Sequence, residues 1–193
     1  MMDKCLTGFT SIFNQTTIQS FLQNAYTWLM QLTIDFKDET IQEMCFSVWL
    51  NSYNKLLLGK VYQETQEVFS AFMSPLRRAI IANFPQPYKI VTYLDDFNNE
   101  TKIFQNQQFQ SNLYTLVRDC FVFLTNADVD DTIDAFNERF DQGNELTVED
   151  IQNLGFSISA TAGTLNEDME NTFIFEIIQR YFNLCQSDNP SIE

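Results

Sequence analysis

Apolar residues recur at helical spacing along most of the chain. Ile18, Phe21, Leu22, Ala25, Trp28, Leu29 and Leu32 mark a first amphipathic helix after Asn14. Thr40 with Glu43 forms a capping-box pattern, and Ile41, Met44, Cys45, Val48, Trp49, Tyr53 and Leu56 follow on one stripe that Gly59 would stop. Val68, Phe69, Phe72 and Met73 belong to a third helix. Ser74 and Pro75 would end it by capping and opening a short fourth, which carries Arg77 and Arg78.

Phe84-Pro85-Gln86-Pro87 cannot continue a helix, because each proline lacks an N–H and fixes its φ. The following residues, Tyr88 to Tyr93, are rich in β-formers and predict an extended crossing segment near 88–94. Helical spacing resumes weakly over Phe97 to Phe104 and strongly with Phe109, Leu113, Leu116, Val117, Cys120, Phe121 and Leu124. Ile133, Phe136 and Phe140 mark a short helix, and Thr147 with Asp150 caps another that Gly155 would stop. Phe156 to Thr164 reads as a flexible connection of small residues, after which Thr164 with Glu167 caps a last long helix. The expected fold is all-α: a helical bundle with a four-helix core, extra helices at both ends and one short extended segment. No repeat of fixed period is visible, so a solenoid is not expected.

Composition supports a folded chain. Hydrophobic residues make up 45% of the 193 residues, including 19 Phe, which is too apolar for disorder despite a formal charge of -15. With 11 basic residues against 26 acidic ones, the long-range field repels polyanions and anionic membranes and attracts basic partners. Cys5, Cys45, Cys120 and Cys185 are far apart and read as reduced thiols, which points to a cytoplasmic setting. The first apolar stretch is interrupted by Asn14, Gln15, Gln19, Gln23 and Asn24, so neither a signal peptide nor a membrane span is expected.

The chemistry is sparse. Absence of histidine removes the commonest general base, the usual triad and most transition-metal sites, and five glycines form no phosphate-binding loop. No catalytic residue, cofactor or metal is expected. Asp130-Asp131-x-x-Asp134 imitates a magnesium-binding motif of prenyl-transfer enzymes, but it is better explained as an acidic helix start favoured by the helix dipole. Phe136 to Ile151 looks like an EF-hand whose loop is too short for calcium. From Asp128 to Asp150 nine acidic residues face one basic residue, Arg139, and Asp128, Asp130, Asp131 and Asp134 form a candidate docking patch.

Phe84 to Asp95 resembles the core signature of coat proteins from rod-shaped plant viruses, the tobamoviruses and tobraviruses. Trp49 and the run Tyr53 to Leu57 look like the aromatic-rich first bundle helix of related coats, and Ala135 to Phe140 is similar to the family's Phe-Glu box. The motif positions are Trp49, Phe84, Pro85, Lys89, Tyr93 and Phe136, within residues 45–140. The resemblance implies a four-helix bundle of 50–58, 61–73, 97–106 and 109–124, stacking into a rod around RNA. It also implies a salt bridge from Arg118 to Asp95 or Asp96. Near the inner connection, where the family holds phosphates, Lys102 is the candidate nucleic-acid contact, and net charge disfavours RNA.

The sequence therefore predicts a bundle core at 45–140 between helical extensions at 1–44 and 141–193. The leading expectation is a self-associating viral coat subunit, in the host cytoplasm or virion. One alternative is an acidic interaction protein, such as an immunity, anti-defence or nucleic-acid-mimic factor, bound to a basic partner. The other is a metal-dependent all-α nucleotide phosphohydrolase using Glu64, Glu67, Glu138 and Asp141.

Overall fold

Seven α-helices, a short 3-10 turn and one two-stranded hairpin account for the regular structure of the described residues, in a computed structural model. Those residues are 15–35, 37–57, 63–86, 89–94, 100–105 and 108–186. The chain divides into two compact units, Met1–Leu76 and Arg77–Glu193.

In the first unit, α1 (Gln15–Asp35) and α2 (Glu39–Leu57) pack against each other. The start of α2 is capped by Asp38, whose carboxylate accepts from Thr40 N and Ile41 N, so the expected Thr40–Glu43 box is replaced by a cap two residues earlier. Trp49 is fully buried in this unit and stacks on Tyr26 with ring centroids 5.5 Å apart. Phe69 and Phe72 close around it. Its indole N–H donates to Thr33 Oγ1 at 3.0 Å, and the Thr33 hydroxyl donates to Leu29 O. A buried indole needs such a partner, because an orphaned N–H costs about 1–3 kcal/mol.

The third helix, α3 (Gln63–Ala82), runs through Pro75 without a break, contrary to the stop expected at Ser74–Pro75. An interior proline removes one backbone bond and clashes with the preceding turn, at about 3 kcal/mol. Burial on either side outweighs it: Val68, Phe69, Leu76, Ile80 and Ile81 are all buried, each contributing roughly 1.5–3 kcal/mol.

In the second unit, β1 (Lys89–Leu94) pairs antiparallel with β2 (Glu100–Gln105). The extended segment expected near 88–94 is thus β1. Within the helix expected over 97–106, the described residues 100–105 form a strand instead, because Thr101, Ile103 and Phe104 suit one and β1 supplies the ladder partners, with Val91 opposite Ile103; the rest of that span lies outside the described residues. Then follow α4 (Gln108–Ala127), α5 (Val129–Phe140), a 3-10 turn (Gly143–Glu145), α6 (Val148–Thr161) and α7 (Glu167–Gln186). Helix α4 packs on α5 and α6, α5 on α7, and α6 on α7. A chain of edge-to-face aromatic contacts runs through this core from Phe84 to Phe121, Phe136 and Phe173, with centroids 5.6–6.1 Å apart. The all-α class therefore holds, with the hairpin as the one strand pair among the described residues.

Gly155 does not stop α6, which continues to Thr161. A Cβ at this position would lie 2.6 Å from Tyr181 Oη of α7, so the glycine allows the two helices to approach closely. Ser157 and Thr161, expected in a flexible connection, are buried, and their hydroxyls donate to Leu154 O and Ile158 O. The reversal is confined to the few residues before α7, where Gly163 adopts φ 75° and its N–H donates to Glu170. Thr164 does not cap α7; its hydroxyl donates back to Thr161 O.

Candidate functional site

A polar cluster of the second unit grows from the tandem arginines near the end of α3. Arg77 is 1% exposed, yet it carries a guanidinium. Its Nη2 donates to Leu124 O at 2.6 Å, where α4 nears its end, and its Nη1 pairs with Asp131 of α5. Burial pushes its pKa down to about 10, against the pull of Asp128. The group stays charged at neutral pH. Its Nε has no partner among the described residues.

Arg78 is one-third exposed and grips Glu138 with two bonds, Nε and Nη2 each donating at 2.7 Å. Its Nη1 also reaches Asp131 at 2.8 Å. The bond to Glu138 raises the Arg78 pKa and holds the Glu138 carboxyl below its ordinary range. Two cations therefore converge on Asp131, which explains how a carboxylate is held between packed helices.

Two more arginines serve the same unit. Arg139 pairs with Asp150, which also forms the capping box of α6 with Thr147. The stretch that looked like a shortened EF-hand is thus a 3-10 turn between two helices, with Asp150 at the start of the second held by Arg139. Arg180 donates to Asn137 at 2.6 Å, pairs with Asp141 and lies over the Phe140 ring, 5.4 Å from its centroid.

The structure scatters the residues singled out from sequence. Asp128 caps α5 by accepting from Asp131 N, Asp131 is held by the arginines, and Asp130 and Asp134 are exposed. Half of the expected docking patch is therefore spent on internal contacts. Arg118 pairs with its neighbour Asp119 at 2.9 Å, while Asp95 and Asp96 lie outside the described residues. Lys102 stands opposite Thr92 in the hairpin, and Lys89 and Tyr93 occupy β1. Trp49, Phe84 and Phe136 are core residues and Pro85 is half-buried, so these four motif positions mark packing. Glu138 and Asp141 are bound by Arg78 and Arg180, and among the described residues no group of three or more acidic, cysteine or histidine side chains can hold a metal. Sequence reasoning missed the arginines; the tandem on a helix opposite an acidic one was the available signal.

Two surface features remain. A groove of about 270 Å³ lies between α6 and α7, lined by Ile158, Phe173, Tyr181 and Phe182 among others. Phe21 and Trp28 on α1 and Phe175 on α7 are large apolar side chains in solvent, Trp28 being 69% exposed. Among the described residues no helix is long and apolar enough to cross a membrane.

Comparison with known proteins decides between the readings. The chain is 22% identical to Exportin-1 of Schizosaccharomyces pombe over 90% of its length, and 24% identical to Protein EXPORTIN 1A of Arabidopsis thaliana over 70%. It is 21% identical to Exportin-1 of Drosophila melanogaster over 89%. The chain resembles exportins. No family model matches it. It spans a fifth or less of the length of these relatives: 19%, 13% and 18%. The exportin likeness covers far more of the chain than the coat motif, whose Trp49, Phe84 and Phe136 are accounted for by the core, and it overturns the coat reading. With it go the virion setting, the self-assembling rod around RNA, the acidic inhibitor with its basic partner, and the phosphohydrolase. The relatives are not enzymes, in agreement with the non-catalytic reading of the sequence.

Proposed function

We propose that the chain is a helical module of an exportin-type carrier, acting by binding proteins through its helix faces. The observation that supports this most is the likeness to fission-yeast Exportin-1 across nine-tenths of the chain. Paired helices held by interior ion pairs, with apolar side chains left in solvent, suit a scaffold that presents binding surfaces.

The test is replacement. In fission-yeast Exportin-1, the matched portion is exchanged for this chain, with the Arabidopsis portion as the control graft. We expect the chimera to retain measurable export activity. A chimera that resists proteolysis as the control does yet exports nothing, while the Arabidopsis graft works, would overturn the proposal.

A further inference from the structure

We draw no further inference here: the strongest candidate, the exposed apolar surface of the first unit carrying Trp28 and Leu32 on α1 and Met44 and Val48 on α2, carries nothing because nothing in the structure shows what covers it.

Discussion

Arg77 and Arg78 are neighbours in sequence but sit in different media. The first is sealed from water and shares Asp131, while the second keeps a third of its side chain in solvent. Breaking a buried pair leaves an uncompensated charge, so Arg77→Met should lower stability by roughly 3 kcal/mol. Arg78→Ala should cost under about 1 kcal/mol, as exposed pairs do. Urea unfolding of both variants checks the order, and an Arg78→Ala penalty as large as that of Arg77→Met would contradict it. Because Glu138 is held below its ordinary value, the Arg78 contribution is fully present above the unfolded carboxylate range. It is lost as pH falls through the lowered Glu138 value, so the stability curves of the parent chain and the Arg78→Ala variant should converge in acid. Thiols give a second residue-scale test. Cys120 is buried and its pKa is pushed up to about 12, whereas Cys185 is exposed. Burial, which raises the Cys120 pKa, also shuts reagents out, so both effects slow its reaction. A thiol reagent should label Cys185 before Cys120, and mass spectrometry finding Cys120 labelled earlier would refute that.

At the scale of elements, Gly155 shows a residue type whose role depends on its neighbour. Within a helix, alanine is favoured over glycine by about 1 kcal/mol, but here the added methyl meets Tyr181 Oη at 2.6 Å. Overpacking of this kind costs about 1–3 kcal/mol, so Gly155→Ala should be neutral to destabilising in the parent chain. In a Tyr181→Phe background the hydroxyl is gone and the ring carbon Cζ at 3.2 Å is the nearest remaining atom, so the same change should cost less than it does in the parent chain. Thermal unfolding of the four proteins in that double-mutant cycle reads the coupling directly. A Gly155→Ala effect unchanged by Tyr181→Phe would mean that the close approach of α6 and α7 does not set the choice of glycine. Pro75 makes the converse point: a strong local stop is overridden because the apolar stripe it interrupts is buried on both sides.

For the whole molecule, a charge of -15 on 193 residues means that acidic residues outnumber the arginines available to neutralise them. The paired ones, Asp119, Asp131, Glu138, Asp141 and Asp150, each have an arginine beside them, while exposed residues such as Asp130 and Asp134 repel. Screening shortens the reach of that repulsion from about 10 Å at 0.1 M salt to about 3 Å at 1 M. The melting temperature should therefore rise as sodium chloride is raised from low to moderate concentration, the reverse of what a fold resting on surface ion pairs would show. Scanning calorimetry across that range distinguishes the two, and a falling midpoint would assign the dominant role to the arginine bridges.

The period of apolar residues determined the helical class, and the proline pair with the β-formers after it determined the break that becomes β1. Both are local properties of a dozen residues or fewer. The lack of histidine and of phosphate-binding loops, a matter of composition, was enough to set aside most catalysis. What tertiary structure decided depends on residues far apart in the chain: β2 formed because β1 lies beside it, Gly155 sits inside α6 where Tyr181 of α7 comes close, and Arg78 found Glu138 sixty positions away. Short aromatic motifs around Trp49, Phe84 and Phe136 pointed to the wrong family because buried rings recur wherever helices pack. The exportin likeness, spread thinly at about one residue in five, leaves no compact motif to read.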